Sequence, residues 1–174
     1  MFRKRHCAAA AALLLAAGAA APLGASDTPK AAPLDAFKAL AGEWVAVADG
    51  PMVKKGTLVA RYAVSASGTA VVETVFPGTA HEMVTVYHAE GSDLVLNHYC
   101  INANQPRMRA RNAAPPRVAF EFEGGANVDP ARGRHMHSAV FEFVGPDEIK
   151  NAWTEHADGK PALTVQSHLV RRGR

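Results

Sequence analysis

Cysteine is nearly absent from this sequence: Cys7 and Cys100 are the only two in 174 residues. Cys7 falls in an N-terminal stretch that reads as a targeting segment, so Cys100 has no partner in the remainder and no internal disulfide is expected. Aromatic residues make up only 7% of the chain and are not interleaved with basic ones. That excludes a base-stacking platform, and no nucleic-acid partner is expected. The nucleophile elbow Gly-x-Ser-x-Gly, the P-loop, Gly-x-Gly-x-x-Gly, Cys-x-x-Cys and Asn-x-Ser/Thr are all missing, which removes the best-marked hydrolase, nucleotide-binding and redox classes. Beyond residue 42 no stretch runs long enough at helical period to serve as a βα crossover, so a parallel sheet is excluded as well.

What is present begins with Arg3, Lys4 and Arg5, followed by an Ala- and Leu-rich run from Cys7 to Ala21 and small residues up to Ala25. A basic head, an apolar run too short to span a bilayer comfortably and a small-residue exit are the marks of a secretory signal peptide, here residues 1–25. Cys7 opens the apolar run instead of following it and is not placed as a lipid anchor. The segment holds three of the 19 Lys and Arg and none of the 16 Asp and Glu. The rest is therefore formally neutral, and the basic character of the whole chain carries no message about its partners. A periplasmic or secreted location is expected, with no transmembrane segment in the mature protein.

Residues 26–32 (SDTPKAA) read as a mobile leader, and residues 33–174 as one β-barrel domain. Pro33 suits a helix start and Gly42 a stop, with Leu34, Phe37, Leu40 and Ala41 forming an apolar stripe between them. From Glu43 the apolar pattern has period two. Strands are expected at 43–48, 57–64, 69–76, 82–88, 94–101, 108–112, 118–123, 135–144, 149–156 and 163–171. They are separated by Gly, Pro, Asn and Asp clusters such as AEGSD and ADGKP. Ten consecutive short strands form an antiparallel meander, and closing it on itself removes the exposed edges. The predicted fold is all-β: a ten-stranded up-and-down barrel with a short N-terminal helix, with a two-sheet sandwich as the alternative. The connection 124–133 is predicted to be a flexible flap.

The segment Phe37 to Trp44, a helical turn leading into Gly42-Glu43-Trp44, resembles the lipocalin signature. That resemblance implies that Trp44 closes one end of a barrel and packs on a basic residue of the last strand, Arg171 or Arg172. The strand number is more similar to the ten-stranded calycins, the fatty-acid-binding and nitrobindin-like haem-binding barrels. The middle of the chain (HEMVTVYH, LNHYC, NQPRM, HMH) is similar to small uncharacterised exported bacterial β-barrel proteins, a likeness that brings no activity with it.

Residues two apart on a strand share a face. His135 and His137 therefore form one candidate chelating pair and His98 and Cys100 another. Together the four would make a three-His, one-Cys set suited to zinc or copper, while the bland alternative is a polar cavity wall. Glu73, on one side with Val71 and Val75, is read as a lumen carboxylate partnered by an arginine. Arg107, Arg109 and Arg111 also share a face. With Met108 and Ala110 inward they stand in solvent; turned inward, Arg109 would clamp an acidic head group. The expected ligand-binding residues are thus Glu73, Tyr87, His98, Cys100, Arg109, His135 and His137. The expected function is to hold a small, largely apolar or acidic molecule in the lumen. The alternatives are acid–base or metal-assisted chemistry on a small substrate, or zinc or haem carriage on the same histidines.

Overall fold

A computed structural model describes residues 32–50 and 53–173. The expected signal peptide, and all but the last residue of the expected leader, lie outside the described residues. One helix, α1 (Asp35–Lys38), precedes ten strands: β1 (Gly42–Ala46), β2 (Leu58–Ser65), β3 (Ala70–Val75), β4 (Met83–Glu90), β5 (Asp93–Tyr99), β6 (Gln105–Ala110), β7 (Arg117–Ala126), β8 (Arg134–Gly145), β9 (Glu148–Ala157) and β10 (Lys160–Arg171). Each strand pairs antiparallel with its neighbour in sequence, and β1 pairs with β10 to close the barrel. The sandwich alternative is thereby excluded. The hairpin turns follow local chemistry: Asp158 and Gly159, both at positive φ, form the two-residue loop between Ala157 and Lys160.

Closure is made by the registers Trp44–Arg171, Val45–Val170 and Ala46–Leu169. Trp44 is fully buried, and its indole N–H donates to the Leu40 carbonyl at 2.7 Å. Arg171 sits 4.6 Å above the indole ring, as the lipocalin likeness implied for one of the two terminal arginines. Arg172 instead reaches the half-buried Glu43 at 3.1 Å.

At this end the lumen is solid. A four-residue helix has no stability of its own, and α1 is held by Phe37, whose ring is fully buried. It stacks on Tyr87 at 4.5 Å and meets Phe141, Phe143 and Phe120 edge-on at 5.2, 5.4 and 5.9 Å. Met108, Leu94, Leu96 and Ile149 complete the plug. The hollow that a barrel of this size provides is left only in the opposite half.

The expected flap at 124–133 is corrected. β7 continues to Ala126, because Gly125 lies so close to β6 that a Cβ there would come within 2.8 Å of Pro106 Cα and closer still to the Gln105 carbonyl oxygen. The remaining loop is tied down. Asp129 accepts from Ala131 N–H at 3.0 Å and from Arg132 Nε at 2.8 Å, and Gly133 N–H donates to Asp158 Oδ1 at 3.0 Å.

Candidate functional site

Strand registry lines up one row of polar side chains across four strands. Tyr62 on β2 is opposite Glu73 on β3, Glu73 opposite Thr85 on β4, and Thr85 opposite His98 on β5. All four are buried. Cross-strand partners stand about 5 Å apart, close enough for such a row to be hydrogen-bonded. Tyr62 donates to Glu73 Oε1 at 2.7 Å and Tyr87, one pleat along β4, to Oε2 at 2.5 Å. Burial pushes the Glu73 carboxyl above its ordinary value against the pull of these hydroxyls, and burial beside Glu73 lifts both phenols well above theirs. The expected arginine partner for Glu73 is thus corrected to two phenols. A neutral hydroxyl is far cheaper to desolvate than a guanidinium.

His98 ends the row. Its Nδ1 pairs with the Thr85 hydroxyl at 2.9 Å. The residue is 3% exposed, yet among the described residues no group pairs with its Nε2. Burial alone holds the imidazole down at about 4, so it is neutral at ordinary pH. An orphaned polar atom at such depth costs roughly 1–3 kcal/mol, and native interiors seldom leave one without a use.

His98 and Glu73 lie on the wall of a cavity of about 90 Å³. Val59 and Leu169 line its buried end with them, while the half-buried Val75, Phe76, Met83, Met136, Trp153 and Val165 form the sides. Asn151 and Ser167 add the remaining polar groups. Trp153 lies against His98 with ring centroids 5.1 Å apart. No lysine or arginine is in the lining. A wider groove of about 540 Å³ runs between the β1–β2 loop and β8–β10, without an orphaned polar group to mark it.

The structure separates the other expected site residues. Cys100 follows the end of β5 and opens a tight turn, its amide donating to Asn104 O at 3.1 Å. Half-burial beside Glu155 pushes its thiol up, so it is no ready thiolate, and it does not line the cavity. Arg109 alternates with the buried Met108 and Ala110 and faces outward. It donates to Glu123 and Glu90 at 2.6 Å each and to Asp93 at 3.3 Å, and with Arg107 it holds the Glu90 carboxyl down at about 2. The inward clamp is therefore corrected to the solvent-side arrangement.

His135 and His137 do meet, Nε2 to Nδ1 at 3.1 Å, but away from His98. A bulge between Met136 and Ser138 breaks the alternation on β8, so Met136 takes the lumen position. The two imidazoles pack on Phe122, and His137 stacks on His156 at 3.6 Å. Burial and the neighbouring His156 lower both. Among the described residues, no group of three or more His, Cys, Asp or Glu is arranged to hold a metal ion, so His98, Cys100, His135 and His137 do not form one ligand set.

Sequence reasoning named Glu73, Tyr87 and His98 but missed Tyr62, Thr85, Trp153, Met83, Met136, Asn151 and Ser167. The alternation in LVARYAV and in IKNAWTEH would have placed Tyr62, Asn151 and Trp153 inward. Fold and site together define a closed ten-stranded antiparallel up-and-down barrel, an architecture consistent with the calycins, plugged at one end and hollow and polar at the other. No protein-family model matches the chain, and no curated protein matches it in sequence.

Proposed function

We propose that this is an exported binding protein that holds a small uncharged molecule in the open half of its lumen. The observation that carries the reading is the buried Nε2 of His98, a residue of the wall of a mostly apolar cavity, with no partner among the described residues. Ligand pockets combine apolar walls with a few placed polar atoms, and an unsatisfied acceptor or donor at depth is what a bound molecule would complete. The absence of a cation from the lining argues against an acidic ligand. A cavity of about 90 Å³ also has no room for a porphyrin.

Native mass spectrometry of the protein taken from its own cells tests this. A small non-covalent adduct is expected on the wild type and lost in Ser167→Phe, which fills the cavity. If the wild type carries nothing, and small apolar compounds raise its melting temperature no more than that of the variant, the reading fails.

A further inference from the structure

The chemistry of the cavity says what class of molecule fits. Resting on the binding reading above, we infer that the occupant is a small, uncharged aromatic ring bearing one hydroxyl group, a phenol or a close chemical relative. Charge is decided by the deep end. A carboxylate entering the cavity would meet Glu73 and no basic residue, and desolvating it there is prohibitive. A protonated amine fares little better, because both Glu73 oxygens already accept from Tyr62 and Tyr87. Asn151 and Ser167 are the other polar side chains of the wall, and the buried polar atom left without a partner among the described residues is Nε2 of a neutral imidazole.

The hydroxyl follows from the tautomer problem. The Thr85 oxygen can donate to His98 Nδ1 or accept from it, so Nε2 is an N–H in one arrangement and a lone pair in the other. A hydroxyl both donates and accepts, and pairs with either form. An ether pairs with one only, and a hydrocarbon with neither.

The ring follows from the sides. Trp153 and Phe76 offer flat aromatic surfaces, and Met83 and Met136 offer thioethers that pack well on ring edges. Size sets the limit. About 90 Å³ is less than the ~150 Å³ of an engineered cavity that encloses benzene. One ring therefore enters hydroxyl first, and its far edge stays at the rim among the half-buried side chains. A substituent opposite the hydroxyl would project outward.

Titration of the full chain at neutral pH with phenol, anisole and benzoate, by calorimetry and by the Trp153 indole N–H resonance, tests the inference. Phenol is expected to bind at least ~10-fold tighter than anisole, as one added hydrogen bond to a buried unpaired atom gives. Benzoate is expected not to bind. His98→Leu should bring the phenol-to-anisole ratio to about 1, and His98→Gln, which keeps a hydrogen-bonding end, should recover part of it.

Equal binding of phenol and anisole to the wild type, both shifting the Trp153 resonance, overturns the hydroxyl and leaves the binding reading standing. Tighter binding of benzoate overturns the uncharged class. No binding by any probe, in a protein that also carries no small molecule from its own cells, removes both. If His98→Leu does not fold, the wild-type ratio and His98→Gln still decide.

Discussion

Replacing Arg171 by methionine measures how much of this barrel's stability lies in its closure. The guanidinium donates to Ala41 O at 2.6 Å, to Ala39 O at 2.8 Å, to Pro146 O at 3.0 Å and to Asp147 Oδ1 at 2.6 Å. It also covers the Trp44 ring, and its side chain is 13% exposed. One residue thus ties the end of α1, the β8–β9 turn and the β1–β10 seam together.

Hydrogen bonds to a charged group are worth about 1.5–3 kcal/mol each when buried. Here the accepting groups lie at the surface, where water can replace the lost donor, so about 0.5 kcal/mol apiece is the appropriate scale. Four such bonds contribute about 2 kcal/mol, and the cation over the indole about 1 more. Methionine keeps a stem over Trp44 and loses the rest, so Arg171→Met should cost about 3 kcal/mol and lower Tm by roughly 6–12 °C. Lysine keeps the charge but not the fork and should recover only about a third of the loss. Arg172→Met is the control: that side chain is 61% exposed and among the described residues pairs with Glu43 alone, so the unfolding midpoint should stay in place. Urea unfolding followed by tryptophan fluorescence reads all three variants. A loss under about 1 kcal/mol for Arg171→Met, or one no larger than that of Arg172→Met, would refute the assignment of closure to this residue.

Acid should weaken the protein through His98. With the folded imidazole held at about 4 against an ordinary 6.5, the unfolded chain takes up the proton first, and stability is lost as pH falls from 6.5 to about 4. The loss is up to about 3 kcal/mol for a fully buried group. Urea midpoints between pH 7 and pH 4.5 should fall more steeply in the wild type than in His98→Gln, and parallel slopes would sink the idea. Arg109→Ala should lower the midpoint in dilute buffer and hardly at all in 1 M NaCl, since its partners Glu90, Glu123 and Asp93 lie on the solvent side. A salt-independent loss would point to packing instead of charge.

The ten strands were legible because short period-two apolar runs recur between residues that favour turns. The miss at β6 has a local cause: Pro106 made Gln105–Pro106–Arg107 read as turn, whereas it is a strand segment paired with Gly124–Ala126 beyond a register shift. The Gly124–Gly125 pair misled for a related reason, Gly125 being there for close backbone approach to Gln105 and Pro106 and not for mobility. Glu73 and His98 were found by parity along single strands, whereas the valines around Tyr87 mark neither face of its strand as interior. The row that joins Tyr62, Glu73, Thr85 and His98 depends on registry between strands, which parity alone leaves open. His135 and His137 were misplaced relative to His98 because nothing in HMHS announces the bulge that turns Met136 inward.

The two halves of the lumen obey different rules, and the division is what makes a site affordable. In the plugged half, Phe37 among Tyr87, Phe120, Phe141 and Phe143 leaves no polar atom without a partner among the described residues. In the open half, His98 Nε2 is orphaned and volume beside it is left unfilled, each a local penalty of order 1–3 kcal/mol. A domain whose whole stability is about 5–15 kcal/mol tolerates such penalties only where another region over-determines the fold. The aromatic plug and the Arg171 tie are that region: they contact β1, β2, β4, β7, β8 and β10, and they meet the cavity wall where Tyr87 donates to Glu73 and Phe141 packs edge-on against Trp153. Substitutions near Phe37 and Trp44 should therefore act on stability, whereas His98 and Met136 can vary to suit a ligand while the barrel stays closed.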